Sequence, residues 1–158
     1  MKAKLKKFAP YLISILIALA VGGLSALLTQ DSMEEYAQLN QPPLAPPGTL
    51  FPIVWTILYV LMGISAALVW KSDCEERSDG LLLYAVQLAV NFMWTIFYFN
   101  FGARLLAFFW LLFLLLLVLL MSSKFSSCSK TAARLQIPYI LWLIFAAYLN
   151  LASYLLNR

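Results

Sequence analysis

"LLAFFWLLFLLLLVLLM", residues Leu105 to Met121, carries no charged or amide side chain and no alternation of apolar with polar positions. A membrane strand alternates apolar and polar residues over about ten positions, so this stretch reads as a helix surrounded by hydrocarbon. Crossing ~30 Å of hydrocarbon at ~1.5 Å per residue takes about 20 mostly apolar residues. Segments at roughly 10–29, 51–70, 80–101, 103–121 and 135–156 meet that length. With 63% hydrophobic and 11% charged residues in a 158-residue chain, almost nothing is left over for a soluble part. The expectation is an all-α integral membrane protein: a five-transmembrane-helix bundle, one domain over 1–158. The basic start and apolar middle of the first segment resemble a cleaved leader, but its apolar run exceeds the ~7 to 15 residues of a leader core. It is read as the first span.

Positive residues in short loops stay on the cytoplasmic side. Of the eleven Lys and Arg, nine (Lys2, Lys4, Lys6, Lys7, Lys71, Arg77, Lys124, Lys130, Arg134) fall on the face shared with the N-terminus. Only Arg104 and Arg158 fall on the other. The expected topology is N-terminus inside and C-terminus outside, in a bacterial cell membrane. The net charge of +4 then reflects insertion and lipid contact rather than nucleic acid, for which no basic module exists. There is no histidine, and Cys74 and Cys128 stand alone in separate inner loops. No metal site, no structural disulfide and no Ser-His-Asp set is expected. No cofactor is required on this reading.

Apart from Arg104 at the very start of the fourth, none of the five spans holds Asp, Glu, Lys or Arg, which argues against an ion-coupled carrier. Their polarity is neutral. In the third span Tyr84, Gln87, Asn91, Trp94 or Thr95, and Tyr98 recur at steps of three and four and share one face. That stripe is equally consistent with hydrogen-bonded helix packing and with the wall of a ligand pocket. In the first span Ser14, Ala18, Gly22 and Ala26 recur at steps of four, a pattern that lets backbones approach closely, inside the bundle or against a second copy. The fourth span, apolar all round, is expected to face lipid and contribute little to a site. Trp70 reads as an interfacial anchor, whereas Trp55, Trp94 and Trp142 lie deeper, where an indole N–H needs a partner or a ligand. Counting rise per residue separates Trp55 and Trp142 by roughly 13 Å in depth.

Residues 30–50 begin with acidic side chains and then stack prolines at 42, 43, 46 and 47. Proline forbids a continuous helix and favours extended geometry, so the segment reads as a pre-stiffened cover. Beneath it Trp55 and Tyr59 arrive one turn apart.

The stretches "PPLAPPGTLFPIVWTILYVLMG" (42–63), "QLAVNFMWTIFYF" (87–99) and "ARLQIPYILWLIFAAYLN" (133–150) resemble the translocator protein family, also called tryptophan-rich sensory proteins or peripheral benzodiazepine receptors. The resemblance covers nearly the whole chain. It implies five membrane helices, a homodimer in many members, and a pocket under the first long loop that binds porphyrins such as protoporphyrin IX and other hydrophobic molecules. Light-dependent porphyrin breakdown by pocket tryptophans occurs in some members, and cholesterol binding in others. Carried onto matching positions, it implies Tyr36, Trp55 ("PIVWT"), Asn91 ("VNF") and Trp142 ("PYILW") as pocket residues, with Trp55 and Trp142 tied to porphyrin chemistry. Family tryptophans are missing where this chain has Glu35, Pro42–Leu44 and Thr49, so the loop has lost aromatic surface.

The expected ligand contacts are therefore Tyr36, Pro46, Trp55, Tyr59, Gln87, Asn91, Trp94, Trp142 and Ala146, on walls from the first, second, third and fifth spans. Leu151, Tyr154 and Arg158 match a loose sterol-contact pattern. The expected function is a membrane receptor or sensor for tetrapyrroles and other hydrophobic ligands; the alternative is a passive transporter of tetrapyrroles or lipids.

Overall fold

The structure is a computed structural model that describes residues 2–158, with side chains from Lys7 onward. Lys2, Lys4 and Lys6, part of the charge count above, lie outside the residues whose side chains are described. In chain order the elements are α1 (Lys2–Thr29), a 3-10 turn (Gln30–Ser32), α2 (Met33–Gln38), α3 (Leu50–Trp70) and α4 (Arg77–Thr95). A π-helical turn (Ile96–Asn100) ends α4, and α5 (Arg104–Cys128), α6 (Lys130–Arg134) and α7 (Ile137–Leu156) follow. Five helical stretches are long and apolar enough to cross a membrane, and the described residues contain no strand. In hydrocarbon a helix satisfies its own backbone, which is why an apolar chain of this kind takes this form. The protein is an integral membrane protein with a five-helix bundle.

α1 packs chiefly on α3, α4 on α5, and α5 on α7, while α6 wedges between α3 and α5. Small residues decide the first of these contacts. Ser14, Ala18, Ser25 and Thr29 are buried along one face of α1. Opposite them Gly63 lies so close to α1 that an added Cβ would stand 2.8 Å from the backbone nitrogen of Ile15. The small-residue stripe thus packs inside the bundle on α3, which resolves the choice between bundle and second copy for that face.

The helix limits differ from expectation in physically readable ways. α1 runs through Pro10 instead of beginning there. α5 continues to Cys128, beyond the apolar run and despite the weak helix propensity of its serines, and so carries Phe125 into the core. Nor does α5 face lipid all round. Ala107, Leu111, Leu114, Leu117, Val118, Met121 and Phe125 form a buried stripe, and Leu106, Phe109, Phe113 and Leu116 are exposed. A leucine suits both a helix neighbour and a lipid tail, so composition cannot mark that face. α6 takes up the residues before Pro138, which sits in the first turn of α7, where its missing N–H costs nothing.

The expected extended cover is helical from Gln30 to Gln38. The 3-10 turn and α2 occupy Gln30–Gln38, and only 39–49 is irregular. The prolines begin at Pro42, so nothing before them resists a helix. The irregular part is tied to the end of α7: the Tyr148 hydroxyl donates to the Pro43 carbonyl at 2.7 Å, and Asn157 exchanges hydrogen bonds with the backbone of Asn40 at 2.9 and 3.0 Å. Leu44 takes φ +66° in this loop, a conformation non-glycine residues seldom adopt.

One expectation is overturned outright. Cys74 and Cys128 are joined in a disulfide. Far apart in sequence, they meet because α4 and α5 form an antiparallel hairpin that brings the start of one beside the end of the other. The ion pair of Lys124 with Glu76, at 2.5 Å, lies at the same end.

Candidate functional site

A cavity of about 430 Å³ opens between α1, α3 and α4, beneath the 3-10 turn. α1 supplies a wall of small side chains, Gly22, Gly23, Ser25 and Ala26, with Leu19 below and Thr29 above. Their smallness leaves the room. α3 supplies Phe51, Pro52, Trp55, Thr56 and Tyr59, and α4 with its π-helical turn supplies Asn91, Trp94, Thr95 and Phe99. Gln30 and Met33 close the end beneath the loop. Every lining side chain is neutral.

The aromatic wall is held from behind. Trp55 lies 5.6 Å from Tyr59 and 5.8 Å from Trp94 between ring centroids, at interplanar angles of 34° and 33°, so the three rings form a shallow fan. Trp94 donates its indole N–H to Asn150 Oδ1 at 3.1 Å, and Asn150 is fixed in turn by donating to the Ala146 carbonyl at 2.9 Å. Buried indoles are expected to find such partners. Trp94 thus presents ring, not N–H, to the hollow.

A second chain of hydrogen bonds fixes Asn91. The Tyr139 hydroxyl donates to Gln87 Oε1 at 2.9 Å and accepts from Asn91 Nδ2 at 2.9 Å. The other side of the Gln87 amide faces the Met62 sulfur at 3.9 Å. Since a thioether can only accept, the Gln87 amino group turns to it and leaves Oε1 for Tyr139. Among the described residues, Asn91 Oδ1 and Ser25 Oγ are buried without a hydrogen-bond partner, and both side chains belong to the cavity wall. An unpaired buried acceptor costs about 1–3 kcal/mol, which a ligand donor can recover.

The two readings of the polar stripe on α4 therefore both apply, at different residues. Tyr84, Gln87, Asn91, Trp94 and Tyr98 are all buried, as their spacing predicts. Gln87 is fully enclosed and serves packing, whereas Asn91 and Trp94 serve packing and wall together.

The structure brings Trp55, Tyr59, Asn91 and Trp94 into one cavity and leaves the other named residues out of its lining. Tyr36 stands one layer outside, with its ring 5.5 Å from Phe99 and 6.4 Å from Phe51, so it braces two lining residues. Pro46 lies in the loop segment tied to α7 and does not reach the hollow. Ala146 is buried, and its carbonyl accepts from Asn150. Trp142 is the largest departure. No residue of α7 lines the cavity; Trp142 instead borders a separate groove of about 350 Å³ between α3 and α7, with Val54, Leu58, Pro138 and Phe145. Its ring meets Phe51 at 5.8 Å, so it stands level with the N-terminal half of α3 rather than roughly 13 Å below Trp55. The depth count fails because it sets Leu135 at the membrane face, whereas Ala132 of α6, before it, already stands beside Ser65, well inside α3, so α7 starts higher.

Helix α7 ends at Leu156, so Arg158 lies beyond the helix that carries Leu151 and Tyr154, and the three do not share a helical face. Tyr139 escapes the sequence reading, overshadowed by the tryptophan three residues on; a wall from the first span is expected and found, but its lining residues are not singled out, because Ser25 and Thr29 merge into a packing pattern.

A model describing the TspO/MBR family matches residues 14–155. The chain belongs to the TspO/MBR family. Among its TspO/MBR relatives, the tryptophan-rich protein TspO of Chlorobaculum tepidum is 34% identical over 146 residues, covering 89% of this chain and 91% of the relative. The tryptophan-rich sensory protein of Cereibacter sphaeroides is 33% identical, covering 84% and 81%. The translocator protein of Ovis aries is 38% identical, covering 73% and 70%. This kinship supports, in general terms, a role as a membrane sensor or receptor.

Proposed function

We propose that this TspO/MBR protein binds a flat, apolar ligand with polar groups at its edge, a tetrapyrrole such as protoporphyrin IX, in the cavity between α1, α3 and α4. One observation carries the reading: a neutral hollow walled on two sides by the rings of Trp55, Tyr59 and Trp94 and on the third by glycine, alanine and serine. A planar guest gains contact area against the rings and fits where the small residues stand back. Asn91 Oδ1 and Ser25 Oγ meet hydrogen-bond donors on the guest. Carboxylates stay at the mouth near Gln30, because burying an unpaired charge in this lining costs several kcal/mol.

The stacking role moves accordingly from the pair Trp55 and Trp142 to the pair Trp55 and Trp94. Any light-driven loss of bound porphyrin is assigned to Trp55, the indole that both lines the cavity and touches Trp94 and Tyr59. The proposed orientation keeps the N-terminus inside, on the charge asymmetry of nine against two. A homodimer needs a face other than the small-residue stripe, which α3 covers.

Titrating the purified protein with protoporphyrin IX while recording tryptophan fluorescence tests the assignment. Trp55→Phe together with Trp94→Phe is expected to weaken binding, and Trp142→Phe to leave it nearly unchanged. Unchanged affinity in the Trp55/Trp94 variant contradicts the site.

A further inference from the structure

Cys74 precedes α4 and Cys128 ends α5, so the bond between their sulfurs closes the open end of the α4–α5 hairpin into a ring. Both residues are half-buried, in the polar stretches "KSDCEERS" (71–78) and "SSKFSSCSK" (122–130), within reach of a dissolved thiol. Those stretches also hold Lys71, Arg77, Lys124 and Lys130, four of the charges that mark the inner face. On that side of a cell membrane thiols are kept reduced, and disulfides that do form there are mostly transient or sensory.

We infer that Cys74 and Cys128 form a reversible thiol–disulfide switch at the inner face, closed when the surrounding thiol pool is oxidised, and that closure fixes α4 against α5. The inference rests on the proposed orientation. Closure proceeds by exchange with a small-molecule disulfide. The thiolate of one cysteine attacks that disulfide, forms a mixed disulfide and releases one small thiol. The second cysteine's thiolate then attacks the protein-bound sulfur and releases the other. Two protons leave the cysteines, and the two electrons end on the small thiols. Opening is the reverse, with two small thiols as reductant.

What the switch acts on is the α4 wall. α4 carries Asn91, Trp94 and Thr95 into the cavity. With the bond open, its inner end is held to α5 by Lys124 with Glu76 and Asp79, partly exposed ion pairs of the kind that contribute little, and by Phe125 beneath Gly80. The ring becomes a hairpin free to splay, and the wall loosens.

The redox state in growing cells is read by acid quenching and alkylation with a mass-tagged maleimide. Both thiols are expected free in unstressed cells and joined within minutes of a diamide challenge. A bond already closed in unstressed cells, or thiols that diamide leaves free, overturns the switch. For the wall, amide exchange over 87–99 is compared in the oxidised protein, the dithiothreitol-reduced protein and Cys74→Ser. About fivefold faster exchange in the last two is expected, with a similar loss of protoporphyrin IX affinity. Equal exchange in all three forms overturns the coupling. Failure of every form to bind protoporphyrin IX counts against the porphyrin reading instead, since the exchange experiment uses no ligand.

Discussion

Adjacent glycines on α1 should respond to the same substitution with opposite signs. A Cβ on Gly22 would stand 2.6 Å from Cδ2 and 3.2 Å from Cζ of Tyr59, whereas one on Gly23 would meet nothing within 4 Å. Carbon atoms rest about 3.5–4.0 Å apart, so Gly22→Ala drives the Tyr59 ring back by roughly 1 Å. That ring is buried and lies 5.6 Å from Trp55, so the displacement reaches the cavity wall. Overpacking of this kind costs about 1–3 kcal/mol. Both variants gain the same helix propensity, about 0.5–1 kcal/mol for replacing a mid-helix glycine. It cancels in the comparison and leaves Gly22→Ala about 1–3 kcal/mol less stable than Gly23→Ala. Thermal unfolding of the two proteins in one detergent measures the difference, and protoporphyrin IX titration reports the wall. Gly23→Ala should melt at or above the parent temperature and Gly22→Ala below it, with weakened binding. Equal shifts of the two variants, or a stabilised Gly22→Ala, refute the close approach of α1 to Tyr59.

Further outcomes follow from the same geometry. Tyr139→Phe removes the hydroxyl that joins Gln87 to Asn91 and leaves two buried amides short of a partner, so stability in detergent should drop by about 1–3 kcal/mol. Trp55→Phe should lower porphyrin affinity by roughly two- to tenfold, the range expected for one aromatic contact, while Trp142→Phe stays near the parent in a fluorescence titration. Because every lining residue is neutral, affinity for an uncharged planar probe such as carbazole should stay flat from about pH 6 to 9; calorimetry showing a titration step would place a charged group at the site. Under illumination, loss of the Soret band of bound protoporphyrin IX should slow in Trp55→Phe and persist in Trp142→Phe.

The bundle and its inward face are legible in the sequence where polarity is scarce. Tyr84, Gln87, Asn91, Trp94 and Tyr98 stand out on α4 because an amide or hydroxyl in hydrocarbon has to face a partner, and all are buried. The same logic fails for α5, where Leu111 and Leu112 are chemically identical yet one is fully buried and the other exposed. Trp142 is misplaced for a different reason. Depth counted from a span's first residue assumes that this residue lies at the membrane face, whereas Ala132 just before it already stands beside Ser65, well inside α3, so α7 and its tryptophan start at another level. The disulfide is invisible for want of a spacing motif; only the antiparallel pairing of α4 and α5 brings Cys74 to Cys128. For the α1 wall, glycine, alanine and serine carry both meanings at once: close packing beside Gly63, and vacant space beside Trp55.

The most direct measurement is photo-crosslinking of the purified protein with a porphyrin bearing a photoreactive group, followed by mass spectrometry of the labelled peptides. Label is expected on α1 between Gly22 and Thr29 and on α4 between Asn91 and Phe99. Label concentrated on α7 between Pro138 and Ala146, with those two segments clean, contradicts a guest held between α1, α3 and α4.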